Sequence, residues 1–300
     1  MRIAGDYLGL TKPGIIFGNL IAVAGGLFLG SRGDLSAQTF LASLTGIALV
    51  IGGGCALNNF IDRDIDALML RTRNRSLVKK RVPPSHALIL GFLLSICGLS
   101  LLALYTNMQT TLVTFVGLLV YVVLYSLWLK RSPHGTWVGS IAGAAPPVAG
   151  YCAASGHLDL AALVLFAMYA LWQLPHAYAI AILHVQDYAR AAIPVLPVVR
   201  GVARVKRHMP LYVAVFTLCA LLLFFTHNTG LRYLAVMLLL GVAWIRSTWR
   251  DRKCADDRRW ARKSFGYSIL AVMAMSLMMS VDFIPKPALN VATIYPATSR

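Results

Sequence analysis

Between about residue 14 and residue 284 the chain is one apolar run after another, each close to twenty residues long, with short polar connections between them. No other feature restricts its fold as much. A helix of about twenty apolar residues crosses the hydrocarbon core of a bilayer, because each residue adds ~1.5 Å to a path of about 30 Å. Backbone N–H and C=O groups find no water in lipid, so each run must satisfy them within itself as an α-helix. We expect nine such spans, near residues 14–30, 38–58, 86–105, 110–129, 136–154, 160–183, 210–227, 231–249 and 266–284. No polar block between them is large enough to fold separately. Residues 1–300 therefore read as a single all-α polytopic domain, with residues 1–13 a short polar start along the interface. The first run begins only after Lys12-Pro13 and lacks a cleavage signature, so it reads as a retained span.

Composition agrees, at 58% hydrophobic and 13% charged residues. The formal net charge of +17 would suit a nucleic-acid partner, but the placement of the charges argues for the lipid bilayer instead. Nine spans put the N-terminus on the same side as the connections at 59–85, 130–135, 184–209 and 246–265. That side holds all 28 Lys and Arg except Arg32, Arg232, Lys286 and Arg300. Lys and Arg accumulate on the cytoplasmic side of membrane proteins, so the N-terminus and the large connections are expected there and the C-terminus opposite. The cysteines (Cys55, Cys97, Cys152, Cys219, Cys254) form no CxxC and have no metal-ligand spacing; they read as small apolar residues.

The chemistry-bearing stretch is Asn58-Asn59-Phe60-Ile61-Asp62-Arg63-Asp64-Ile65-Asp66. The chain has no glutamate and eleven aspartates, and three of them stand here, where an apolar run meets a basic connection. Asn58, Asp62 and Asp66 are spaced i, i+4, i+8 and share one helix face, each ~6 Å from the next, while Asp64 faces nearly the opposite way and would pair with nearby arginines. One amide and two carboxylates in a line offer hard oxygen ligands, which suit Mg²⁺ completed by water and phosphate oxygens. The competing reading is a helix end whose aspartates pair with Arg63, Arg71 or Arg73. Arg71-Thr72-Arg73-Asn74-Arg75 follows at once, and the planar guanidinium fork matches phosphate. Metal-binding carboxylates beside arginines make sense together if the ligand is a metal-bound diphosphate.

Other constellations are weaker. Asp187-Tyr188-Ala189-Arg190 follows the sixth run and is either a second acidic contact or an ordinary interfacial pair. His176, beside Pro175 in Trp172-Gln173-Leu174-Pro175-His176, is either an iron ligand, a proton carrier or a packed polar group. Pro175 and the Pro146-Pro147 pair should open their helices by removing backbone donors. Tyr121, Tyr125 and Lys130 run toward the cytoplasmic end of the fourth run, where they either hold diphosphate or anchor the interface.

Taken together, these segments resemble the UbiA-type intramembrane prenyltransferases. The likeness runs in order from Thr11 to about Phe283: TKPGIIFGNLIAVAGG, NNFIDRDIDALMLRTRNRSLVKKRVPP, YSLWLKRSPHGTWVGSIAGAAPPVAGY, LWQLPHAYAIAILHVQDYARAAIPVLPVVRG and DDRRWARKSFGYSILAVMAMSLMMSVDF. DRDID…RTRNR, WQLPH and AAIPVLPVV point to the haem branch of that family. The resemblance implies nine helices around a central cavity in a bacterial cytoplasmic membrane. It implies farnesyl diphosphate and haem b as substrates, Mg²⁺ as cofactor, and haem O and diphosphate as products, with haem A synthase or a terminal oxidase as downstream partners. By motif position Asn58, Asp62 and Asp66 would hold the metal and diphosphate, Arg71 and Arg75 would neutralise the charge, with Lys130 and Arg190 also on the diphosphate, and Asp187 would add a second acidic contact to the metal and diphosphate. One departure stands out. Asp187 is followed four residues later by Ala191, where many quinone-type relatives carry a second aspartate; either that ligand is unnecessary here, or His184, Gln186 or Arg190 takes part. Three rivals remain: the same transfer onto a quinone precursor, a haem-handling protein without catalysis, and a transporter.

Overall fold

The computed structural model describes residues 2–285, so the expected far-side charges Lys286 and Arg300 lie outside the described residues. Among these the chain is all-α apart from one isolated bridge between Thr229 and Phe283. A short helix α1 (Arg2–Leu10) precedes α2 (Pro13–Ser31), α3 (Ala37–Leu68), α4 (Pro84–Tyr105) and α5 (Met108–Leu119). The chain then passes through a π-helical stretch, Val120–Trp128, and one 3₁₀ turn, Leu129–Arg131. Helices α6 (Gly135–Ser155), α7 (Leu160–Leu183), α8 (Val185–Arg190), α9 (Leu196–Arg200), α10 (Val202–Phe225), α11 (Leu231–Arg250) and α12 (Asp257–Val281) complete the order.

Eight helices among the described residues are long and apolar enough to cross a membrane. The expected fifth span exists as α6 but is not one of the eight, because Gly, Ala, Pro and Ser keep its hydropathy low. Its position explains that composition. Helix α6 packs against α2, α5 and α7, with most of its residues buried. A helix surrounded by helices gains close backbone approach from small residues and has little use for bulky lipid-facing ones. At Gly26 of α2 a Cβ would run into the Pro147 carbonyl oxygen of α6. Helices α3 and α4 meet in the same way, where a Cβ on Gly53 would strike Ser95 and the Gly91 carbonyl. Large apolar side chains instead line the outer faces, including Leu104, Leu218 and Leu239, all well exposed. So much exposed apolar surface is a face for lipid.

Three helices outrun the expected spans. Helix α3 does not stop at residue 58 but continues to Leu68, about 15 Å further. Hydropathy falls there because the inward face becomes polar, yet those polar groups are buried and bonded, so the helix persists. Helix α10 starts at Val202 rather than 210, and α12 at Asp257 rather than 266, where Asp256 accepts the Arg259 N–H at 2.9 Å as an N-cap. Conversely, Pro146, Pro147 and Pro175 do not interrupt their helices, and α6 and α7 run through them. Each proline only leaves one carbonyl, four residues earlier, without its usual amide donor. The largest apolar cluster joins α6, α7, α10, α11 and α12 around Tyr169, Phe216, Tyr233 and Trp244.

Candidate active site

The last turns of α3 and the connection after it build one wall of a cavity of about 530 Å³, within the usual range of roughly 300–1,000 Å³ for small-molecule pockets. Asn58, Asp62 and Asp66 lie on that wall, at 4%, 2% and 2% exposure, whereas the Asp64 side chain is 84% exposed beside Arg63. The 3.6-residue period thus sorts the aspartates as expected, two inward and one outward.

Cations from three separate parts of the chain meet this stripe. Lys12, between α1 and α2, donates from Nζ to Asn58 Oδ1 at 2.7 Å. The Asn58 amide donates to Asp62 Oδ2 at 2.8 Å and to Ser126 Oγ, in the π-helical stretch, at 3.0 Å. Lys130 forms an ion pair with Asp62 Oδ2. Arg75 donates to Asp66 Oδ2 at 2.5 Å and to Asn59 Oδ1 at 3.1 Å, and Asn59 donates in turn to the Leu10 carbonyl at 2.8 Å. The π-helix has a visible use here. It carries Tyr121 and Tyr125, stacked with centroids 6.0 Å apart, onto the cavity wall and leaves Ser126 reaching α3.

One atom of the stripe stands apart. Asp62 Oδ1 is buried and has no hydrogen-bond partner. A buried carboxylate oxygen without a donor is costly, and a cation ligand would satisfy it. Carboxylate and amide oxygens of Asn58, Asp62 and Asp66 on one cavity wall are a hard donor set suited to Mg²⁺. No group of three or more His, Cys, Asp or Glu forms a self-contained metal cage among the described residues.

Electrostatics at the mouth favour an anion. Lys12, Arg71, Arg75 and Lys130 all line the cavity. Burial, reinforced by the Arg75 guanidinium and opposed by Asp62 and Asp66, lowers Lys12 from 10.5 to about 8. Arg71 lies over the Tyr188 ring, 5.8 Å from its centroid. Apolar side chains including Ile47, Val50 and Leu118 also line the cavity, with the neutral polar side chains of Asn19, Thr114 and Gln173 among them.

Three expected site residues are placed elsewhere. Asp187 is not on the cavity wall; its carboxylate accepts the backbone N–H of Leu70 at 3.0 Å and of Arg71 at 3.4 Å. Both oxygens are thus turned to the connection that carries Arg71. Arg190 is half-exposed, 3.4 Å from Asp187, and also off the wall. The His176 ring packs between Trp172 and Phe265, with centroids at 4.7 and 5.1 Å, and its Nδ1 is 2.8 Å from Ser268 Oγ. Ser268 already donates to the Phe265 carbonyl at 2.6 Å, so Nδ1–H is the donor to Ser268. Of the three readings offered for His176, the packed polar group matches this geometry. The sequence assigns no role to Lys12 or Ser126, nor to Asn59 within its stretch. A lysine just before an apolar run reads as a topology signal, and nothing local ties Ser126 to residue 58.

A family model described as "UbiA prenyltransferase family" matches residues 19–273. The chain is 50% identical over 277 residues to "Protoheme IX farnesyltransferase 2" of Pseudomonas putida (strain W619), covering 92% of this chain and 94% of that one. It is 49% identical over 279 residues to "Protoheme IX farnesyltransferase" of Escherichia coli O1:K1 / APEC, covering 93% and 94%. Among solved structures, a digeranylgeranylglyceryl phosphate synthase superposes with a TM-score of 0.75 at 17% identity, over 93% of this chain and 99% of that one. A UbiA homologue from Archaeoglobus fulgidus bound to DMAPP and Mg²⁺ superposes with a TM-score of 0.69 at 16% identity, over 92% and 99%. At such identities the two structures speak for the fold alone.

Proposed function

The chain belongs to the UbiA prenyltransferase family, and from that premise we propose that it transfers a farnesyl group from farnesyl diphosphate to a vinyl group of haem b, with addition of water, giving haem O and diphosphate. The observation that carries this reading is the buried Asn58-Asp62-Asp66 stripe, faced by Lys12, Arg71, Arg75 and Lys130 where a largely apolar cavity opens. The likeness to protohaem farnesyltransferases of two bacteria supports the choice of haem over other acceptors.

Asn58, Asp62 and Asp66 would hold the metal in this reading, with Asp62 Oδ1, buried and without a hydrogen-bond partner, the oxygen to accept it. A Mg²⁺ held there would supply positive charge that stabilises diphosphate as a leaving group. Arg71, Arg75, Lys12 and Lys130 bind the diphosphate oxygens. Arg75 and Lys130, now paired with the aspartates, exchange those partners for phosphate. Asp187 is a positioning residue that fixes the connection carrying Arg71, with Arg190 beside it, and carries no metal. The apolar walls hold the fifteen-carbon chain and exclude water from the allylic cation. His176 supports α12 through Ser268 and does not ligate iron.

At the level of the molecule, α6 counts as a ninth span in one domain of the bacterial cytoplasmic membrane, with the charged cavity mouth toward the cytoplasm. Haem A synthase or a terminal oxidase would take up the product.

The test is a liposome assay with haem b, farnesyl diphosphate and Mg²⁺, read by mass for farnesylated haem. Asp62→Ala and Asp66→Ala are expected to lose at least ~100-fold of turnover, the scale of losing main transition-state charge stabilisation. Wild-type turnover in both folded variants would sink the metal-site reading, and product from a hydroxybenzoate but not from haem would move the chain to the quinone-precursor rival.

A further inference from the structure

The apolar part of the cavity contains a polar spot that diphosphate binding does not use. Gln173 of α7 lines the cavity, and its side-chain amide makes no hydrogen bond among the described residues. It stands against Gly143 of α6, so close that a Cβ on Gly143 would collide with the amide. Pro146 and Pro147 carry no N–H, so the carbonyls of Ala142 and Gly143 have no amide four residues on to accept from. Ala142, Gly143 and Pro146 all line the cavity. An uncommitted amide and two carbonyls with spare acceptor capacity therefore cluster on a largely apolar wall.

The level of this spot along the bundle can be read from α6. Gly139 packs against the Tyr125 ring, Tyr125 lies 6.0 Å from Lys130 Nζ, and Lys130 pairs with Asp62. Gly143 is one helical turn further from the charged end, about 6 Å along the axis. Asp62 and Gln173 line the same cavity, so a farnesyl carbon leaving a diphosphate at Asp62 would pass along the wall toward this spot. The cation formed when it bonds to a vinyl group lies two carbon atoms beyond it.

We propose that Gln173, with the Gly143 carbonyl, binds and orients the water that adds to this cation. The inference rests on the haem reading above. Farnesyl carbon 1 bonds to the terminal vinyl carbon, using the vinyl π electrons, and leaves the positive charge on the carbon next to the porphyrin ring. Gln173 Oε1 accepts one hydrogen of the water, so that an oxygen lone pair faces that carbon. The C–O bond forms, and the proton lost from the oxonium passes to the departing diphosphate. The alternative fate of the same cation is loss of a proton from the newly alkylated carbon, which gives a C=C bond and a product lighter by one water. A neutral amide suits this place: it holds water without itself being a strong nucleophile, and a carbonyl dipole favours nearby positive charge.

The experiment compares wild type, Gln173→Leu, Gln173→Met and Gln173→Glu in the same liposome assay run in ¹⁸O-labelled water, with hydroxylated and dehydrated farnesyl-haem separated by mass. Leu and Met remove the amide, and they are expected to lower the hydroxylated-to-dehydrated ratio by about tenfold, the effect of losing one hydrogen bond, while diphosphate release changes far less. Gln173→Glu keeps an acceptor oxygen and should hold the ratio near wild type. A purely structural role would reduce both products and diphosphate together. An unchanged ratio in whichever of the Leu and Met variants folds overturns the inference and leaves the haem reading intact; a Gln173→Glu ratio as low as that of the Leu or Met variant overturns it equally, because an acceptor oxygen is then not what matters. If wild type makes no farnesylated haem at all, the haem reading itself has failed.

Discussion

Lys12 occupies a left-handed backbone conformation, φ 52°, between α1 and α2, and that turn sends its ammonium to Asn58. A non-glycine residue pays for such a conformation with strain, which the surrounding contacts hold in place. The consequence is a pH dependence. A lysine lowered to about 8 carries its charge below that pH, instead of up to its usual 10.5, and loses it as pH rises. Since kcat/KM reports the free enzyme, kcat/KM for farnesyl diphosphate is expected to fall above pH 8, by about tenfold at pH 9 if only the charged form binds. Lys12→Arg stays charged and should flatten that limb; a wild-type profile level to pH 10 would remove Lys12 from diphosphate binding. At this scale the aspartate stripe was legible because helical periodicity alone decides which of Asp62, Asp64 and Asp66 share a face. Lys12 and Ser126 were not, because their proximity to Asn58 arises across 46 and 68 residues of chain.

The helices themselves divide by what surrounds them. Runs that face lipid, such as α4 and α5, are readable from hydropathy because lipid demands apolar side chains along their length. Helix α6 satisfies its neighbours instead, and its small residues answer to packing distance. Gly26→Leu in α2 should therefore be costly, since the new side chain meets the Pro147 carbonyl, while Gly18→Leu on the same helix points into open space. We expect the first to destabilise by at least about 1–3 kcal/mol, seen as a lower melting temperature in detergent, and the second to be close to neutral. Equal melting temperatures would mean that the α2–α6 crossing is looser than described. The ends of α3, α10 and α12 eluded the hydropathy pattern for a related reason: a helix continues wherever its polar residues find partners, whether or not lipid is present.

Over the whole molecule, the basic connections after α3 and before α6 bring Arg71, Arg75 and Lys130 to the cavity, and the side of the membrane they face is testable. In a background with Cys97, Cys219 and Cys254 replaced by Ser, Lys79→Cys should react with a membrane-impermeant thiol reagent only from the cytoplasmic side, and Asp34→Cys only from the other. Labelling of both from one side would contradict the odd number of crossings between Asp34 and Lys79. What the amino-acid sequence determined by itself was the membrane, the all-α class and the Asn58-Asp62-Asp66 stripe, because hydropathy, bilayer thickness and helical period act on neighbours in the chain. The tertiary structure decided the rest: which cations reach the stripe, that Asp62 Oδ1 alone among the stripe's carboxylate oxygens is buried without a donor, that Asp187 turns to the Leu70 and Arg71 amides, and that Gln173 faces Gly143. Those relations depend on how helices far apart in sequence cross, and the crossings are set by close packing between faces, which no local pattern encodes.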